Sequence, residues 1–268
     1  MRFVIFFIFI ICSVYASSVT KGEALLLEVD REDTLSYKDG KTIELLAHPV
    51  YVDKKIALIP INYKSSSSSL SILKKTPQGI EELEYKIEDG EYKKEKLSVD
   101  PKKVSPPKEV LDRISKEYSE AMAIYGDFSS PRAWSEPFAT PMDSTITSQF
   151  GNARMFNDTL KSYHSGTDFR AAIGTPVRAV NDGVVALASE RYYAGGSIII
   201  DHGEGIYSQY YHLSAMDKKR GDRVKKGEVI GKSGVSGRVT GPHLHYGIMV
   251  RGVQVNPMKF TEQINALF

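Results

Sequence analysis

Short apolar runs broken by charged turns fill the first hundred residues. EALLLEVD, TIELLAHPVYV and KIALIPINY partly alternate polar and apolar positions, with turns such as YKDGK between them. Alternation with a period of two marks half-buried strands. The pattern predicts a small β-sandwich-like module over residues 17–104. Within it, SSSSS at 65–69 reads as a loop or strand edge, because strand-like sequence resumes at Leu70. IEELEYKIEDGEYKKEKLSV reads as a hairpin turning at Asp89-Gly90. The period then changes. In SPPKEVLDRISKEYSEAMAIYG, residues 105–126, Val110, Ile114, Glu117/Tyr118, Ala121 and Tyr125 recur at helical spacing. Ser105 is the expected N-cap and Gly126 the stop, giving a linking helix within 105–133. From about Trp134 strands return, now with frequent glycines, in GTPVRAVNDGVVALASE, GGSIIIDHG, IYSQYYHLS and HLHYGIMVRG. An antiparallel β-sheet domain over 134–268 is expected, so the fold class is mainly β.

Composition narrows the function. Hydrophobic residues are 41% and charged residues 25%, as in soluble globular proteins. Lys+Arg at 35 against Asp+Glu at 33 gives no basic excess, so nucleic acid is not an expected partner. No GxxxxGK[ST] loop occurs and no GxGxxG opens a helix, so nucleotide chemistry has no support. The charge runs KKEK and DKKRGDRVKK read as solvated faces.

MRFVIFFIFIICSVYASS has a positive start, an apolar stretch over 3–14 and a plausible cut after Ala16. That is the pattern of a secretory signal peptide, and the stretch is shorter than the roughly 20 residues of a membrane span. The mature chain is expected to be exported, without a membrane span, in the periplasm or at the cell wall. Cys12, the single cysteine, would leave with this segment. Any metal site must then use His, Asp and Glu.

Five of the six histidines lie between 164 and 245: His164, His202, His212, His243 and His245. His164 and Asp168 stand four apart with Gly166 between, where the glycine lets the chain fold both side chains onto one ion. In TGPHLH, His243 and His245 share one face of a strand and Leu244 takes the other. His212 is expected to share a face with Tyr210, and Tyr211 to lie opposite. His48 has no partner motif and reads as structural, and His202, at the strand-to-turn signal IIIDHGEGIY, reads as turn structure. HExxH is absent, which excludes a helical Glu base.

HSGTD, then YYHLS, then GKSGVSGRVTGPHLH, together with SQFGNAR, DHGEG and GTPVRAVNDGVV, resemble the lysostaphin/LytM-type zinc metallopeptidases in order and spacing over roughly 136–260. The resemblance implies one zinc ion per chain, bound by His164, Asp168 and His245, with His212 and His243 acting on water and the tetrahedral intermediate. No member of this set is substituted. Three protein ligands leave one position open for water, as in catalytic zinc sites. Zinc lowers that water's pKa to about 7. Arg154 is a candidate contact for a substrate carboxylate, and Tyr210 a candidate contributor to the same site.

The implied function is zinc-dependent hydrolysis of peptide cross-links in peptidoglycan, as a D,D-endopeptidase with possible D,D-carboxypeptidase activity. The competing implication is a non-catalytic activator of a cell-wall amidase, a role that usually accompanies loss of a ligand. The N-terminal module is expected to shield the cleft or dock a regulatory protein partner. In a latent form, one of its residues, or one from the 106–125 helix, would occupy the open metal position.

Overall fold

The apolar runs GGSIIID, IYSQYYHLSAM and HLHYGIMV become the strands Gly195–Asp201, Ile206–Met216 and His243–Val250. They sit at the middle of a ten-stranded antiparallel sheet in the computed structural model, which describes residues 18–268. The expected signal peptide, 1–16, lies outside the described residues. The chain is mainly β. From the site-bearing edge inward, the order is Ile146–Ser148, Thr167–Arg170, His243–Val250, Ile206–Met216, Gly195–Asp201.

One face of this sheet is core. Ile198, Ile200, Tyr210, Leu244, Tyr246 and Ile248 are buried there with Trp134 and Phe260. Each fully buried side chain of this size stabilises by about 1.5–3 kcal/mol. The same core includes Ala24, Leu46, Ile56 and Leu58 from the N-terminal half. The strand Lys54–Pro60 explains this sharing. After Lys54-Lys55 its run IALIP is apolar without interruption, so Ile56 and Leu58 face the large sheet while Ala57 and Ile59 face a second core with Leu35 and Ile72.

Helix α1, Leu111–Tyr125, lies on the opposite face and buries Ala121 and Tyr125 against Leu187, Ile199, Tyr207 and Met249. It starts six residues later than Ser105, the expected cap. Pro106-Pro107 explains the delay, because a residue before proline is pushed out of the α region. Only the C-terminal half of the apolar stripe seats, and Tyr118 is 65% exposed. A second helix, α2, Pro257–Asn265, was not anticipated. Asn256 caps it, accepting from the N–H groups of Met258 and Lys259, and Pro257 opens its first turn. Among the described residues, no helix is long and apolar enough to cross a membrane.

The expected hairpin at Asp89-Gly90 is a misreading. Gly79–Glu88 pairs with Ser69–Thr76 before it, through the turn at Pro77-Gln78. Lys94–Leu97 instead pairs in parallel with Ala153–Phe156, which forms a hairpin with Leu160–Tyr163. Aromatic packing fixes this crossing. Tyr63 stacks on Tyr163 at 4.0 Å, Tyr92 reaches the carbonyl of Lys21, and Tyr63 donates to the carbonyl of Gly151. The N-terminal segment thereby supplies a strand beside the functional cleft.

Candidate active site

Thr167–Arg170 and His243–Val250 pair so that Asp168 stands directly opposite His245. His164 precedes the first strand, and the chain bends back through Gly166. There is no room for a side chain at Gly166: a Cβ would sit 2.6 Å from His245 Nε2 and 2.4 Å from the Tyr246 carbonyl. The bend brings His164 Nε2 within 2.9 Å of Asp168 Oδ1 and 3.0 Å of His245 Nδ1. His245 Nδ1 lies 2.9 Å from the same Asp168 oxygen. All three side chains are buried. Among the described residues, this is the one group of three His, Cys, Asp or Glu side chains placed to hold a metal.

The donor set fits zinc. His164 Nδ1 lies 2.9 Å from the carbonyl of Gln149, which can only accept, so Nδ1 carries a proton and Nε2 offers a lone pair to the centre. Two imidazole nitrogens and one carboxylate oxygen thus converge on a point. Ligands about 2.0–2.1 Å from a tetrahedral ion stand roughly 3.3 Å apart, close to the spacing observed. Burial draws the His245 imidazole down to about 4, and the Asp168 carboxylate only partly offsets this, so the ring is neutral at pH 7. Burial alone would raise the Asp168 carboxyl, but its contacts to His164 and His245 outweigh that and hold it well below the usual carboxylate range.

His212 and His243 flank this centre. His243 Nε2 points toward Asp168 Oδ1 at 3.7 Å, while its Nδ1 is anchored 2.8 Å from the carbonyl of Gly241. His212 Nδ1 is anchored in the same way, 2.8 Å from the carbonyl of Ser236. The two rings are 4.8 Å apart. Burial, with His243 and His245 close by, holds His212 well below the ordinary imidazole range.

His212 also explains a correction. Its backbone lies in the left-handed region at φ 64, pinned by its N–H donating to Ala194. Such a residue stores about 1–3 kcal/mol of strain. The strand is bulged here, and alternation fails. Tyr210 therefore does not share the site face with His212. It is fully buried in the core, and its hydroxyl accepts from the Val180 N–H at 3.0 Å and bonds Ser208. Tyr211 takes the place expected for Tyr210. It stands opposite His245, its ring parallel to the imidazole at 5.4 Å, and its hydroxyl meets that of Tyr125 from α1 at 3.1 Å.

Arg154 reaches the centre from outside. Its guanidinium donates to Asp168 Oδ2 at 2.7 Å, to Ser148 Oγ at 3.0 Å and to Glu95 Oε2 at 3.0 Å. Glu95, on the crossing strand Lys94–Leu97, also accepts from Ser148 Oγ at 2.8 Å and Asn152 Nδ2 at 2.7 Å. Burial would lift the Glu95 carboxyl, but these donors hold it below its usual range. Ser148 Oγ in turn lies 3.0 Å from His164 Nδ1. One carboxylate from the N-terminal half thus braces two members of the triad from behind. Glu95 lies inside KKEK, read from sequence as a solvated face; its lysine neighbours are exposed and it is not. Arg154, a candidate for either a substrate carboxylate or a structural ion pair, makes ion pairs with Glu95 and Asp168 through Nε and Nη2.

Among the described residues, no side chain from residues 18–125 bonds His164, Asp168 or His245 directly; the N-terminal half meets the centre through Glu95 and Arg154. His48 and His202 are structural. His48 Nδ1 accepts from the N–H groups of Val50 and Tyr51. His202 is wholly buried between the carbonyl of Asp182 and the hydroxyl of Ser208, each at 2.7 Å.

Two adjoining cavities open the centre to solvent, of about 280 Å³ and 160 Å³, both lined by Arg154, Phe156, His212 and Arg238. Residues 162–257 match peptidase family M23. The chain is 47% identical over 122 residues to the peptidoglycan DD-endopeptidase ShyA of Vibrio cholerae, a match covering 44% of this chain and 28% of that protein. It is 45% identical over 95 residues to the DD-carboxypeptidase/endopeptidase Mpg of Neisseria meningitidis, covering 35% of this chain and 22% of that one. The chain therefore spans less than a third of the length of these curated relatives. A solved M23 peptidase from Pseudomonas aeruginosa superposes with a TM-score of 0.65 at 26% identity, over 88% of this chain and 92% of that one.

Proposed function

We propose that this chain, whose residues 162–257 form a peptidase family M23 domain of the lysostaphin/LytM type, is an exported zinc-dependent hydrolase of peptidoglycan. It cuts peptide cross-links as a D,D-endopeptidase, with D,D-carboxypeptidase action on stem peptides as a second outlet. The observation that carries this is the convergence of His164 Nε2, Asp168 Oδ1 and His245 Nδ1 within 3.0 Å of one another, in a cleft that also holds His212 and His243. The names of the curated relatives support the substrate class. The N-terminal apolar stretch supports export to the periplasm or cell wall.

A zinc ion held by His164, Asp168 and His245 would polarise the scissile carbonyl and acidify a water at its open position. The chain's own residues do the rest. His212 and His243 each keep Nδ1 on a backbone carbonyl, so in the neutral ring Nε2 is the atom that accepts the proton of the attacking water. Once protonated, the same atom can donate to the oxygen where negative charge develops, or to the leaving amine. Arg154 holds Asp168 Oδ2 and leaves Oδ1 free to face the ion. Tyr211 fixes the plane of the His245 ring by stacking.

Incubating the purified protein with isolated sacculi, with and without chelator, and identifying released muropeptides by mass tests the proposal. Cleavage that stops with chelator and returns with zinc is expected, with no amidase added. Absence of chelator-sensitive cleavage would sink it and favour the activator role.

A further inference from the structure

Five arginines among the described residues are half-buried, and four of them are bonded to protein oxygens. Arg132 donates to Glu204, Arg154 to Glu95 and Asp168, Arg191 to the carbonyl of Glu117, and Arg251 to Glu44. Arg238 is the exception. Among the described residues, its guanidinium has no hydrogen bond and no ion pair. It lies between two aromatic rings, 4.4 Å from the centroid of Phe156 and 4.7 Å from that of Tyr193. Its backbone is fixed too, with the Arg238 N–H donating to the Tyr193 carbonyl at 2.8 Å.

Aromatic faces hold a guanidinium in place without using its N–H groups. The fork is therefore positioned and unspent. It lines both cavities that meet at the catalytic centre, with His212 on the same walls. Neither carboxylate in the larger cavity bonds it: Glu95 and Asp168 pair with Arg154 instead. A half-buried cation without an anion is costly, and a ligand that brings the anion repays that cost.

We propose that Arg238 is the carboxylate-binding subsite of this cleft, taking a free carboxylate of the substrate peptide near the scissile bond through a two-pronged contact. This rests on the hydrolase reading above and adds to it the chemical feature that the cleft reads. In a cross-linked peptide such a carboxylate has two sources. It belongs either to the residue that donates the scissile nitrogen or to the stem that donates the scissile carbonyl.

The test uses the zinc-loaded full chain and Arg238→Ala, matched in zinc content and melting temperature. Three synthetic cross-linked peptides are compared: both carboxylates free, the nitrogen-side carboxylate amidated, and the carbonyl-side carboxylate amidated. Arg238→Ala is expected to lower kcat/KM about 10- to 100-fold on the free peptide. Amidation at one position should slow the natural protein by a similar factor and the variant by less than about twofold, and that position names the source. Equal slowing of both proteins at both positions overturns the proposal. A second readout needs no turnover: calorimetric binding of a single-stem peptide, free or amidated, which the natural protein must distinguish and the variant must not. If the natural protein cuts none of the peptides, the hydrolase reading falls and the calorimetric comparison alone decides Arg238. Should Arg238→Ala fail to fold, Arg238→Lys carries the same comparison, because it keeps the charge and loses the fork.

Discussion

On one wall of the cleft, Arg154 stands on the strand Ala153–Phe156 and spends its donors on Glu95, Ser148 and Asp168. On the other wall, in the loop between Ser233 and His243, the Arg238 guanidinium lies against the faces of Phe156 and Tyr193. Both are half-buried and both border His212. Their difference separates two uses of one side chain. A guanidinium bonded to protein oxygens through Nε and Nη2 fixes the geometry of its partners. One held by aromatic faces keeps its donors for something that arrives.

The comparison breaks first at the centre itself. Asp168→Ala should abolish zinc binding and activity together, whereas His243→Ala should keep most zinc and lose about 10²–10⁴-fold in rate. Zinc content and muropeptide release, measured on the same preparations, check the pair; equal zinc loss in both would reverse their assigned roles. Next comes the Arg154 wall. Arg154→Ala removes the brace from Asp168 and leaves Glu95 without its cation, so zinc affinity should fall about 10–100-fold, with Glu95→Gln falling less. Competition with a chromogenic chelator measures this, and unchanged affinity would show that the wall merely packs.

A histidine outside the cleft gives a control of intermediate size. His202, wholly buried, has its pKa drawn down to about 4 by burial, against 6.5 in the unfolded chain. The unfolded state takes up the proton first, so stability should be lost as pH falls from about 6.5 to 4, by on the order of 3 kcal/mol. Denaturant melts of the natural protein and His202→Gln across that window should converge toward acid. The smallest effect is expected at Tyr210→Phe. Loss of its hydroxyl bonds should cost about 1 kcal/mol of stability with kcat/KM unchanged, as befits a residue on the core face; a catalytic defect would return Tyr210 to the site.

Much of the centre could be read from sequence because its information is local. His164, Gly166 and Asp168 fall within five residues, and the HLH strand shows its two faces directly, with Leu244 buried and His245 in the triad. Tyr211 was hidden because one left-handed residue, His212, breaks the period of two on which face assignment depends. Glu95 was hidden because its partner lies 59 residues away and its neighbours are exposed lysines. The hairpin at Asp89-Gly90 failed for the same reason: Lys94–Leu97 pairs with a distant strand rather than its neighbour. Helix α2 went unread although its signal is local, since Asn256-Pro257 is an N-cap followed by a first-turn proline.

The parallel pairing of Lys94–Leu97 with Ala153–Phe156 sets an order of events during folding. Contacts this far apart in the chain close late, after hairpins such as Ala153–Phe156 with Leu160–Tyr163. A chain that has formed the large sheet and this hairpin but has not yet docked the strand would hold Arg154 on Asp168 without Glu95 behind it. Metal bound at that stage would be held more loosely than in the finished fold, and a late rise in zinc affinity during refolding would report arrival of the N-terminal half behind a centre whose ligands were already in place.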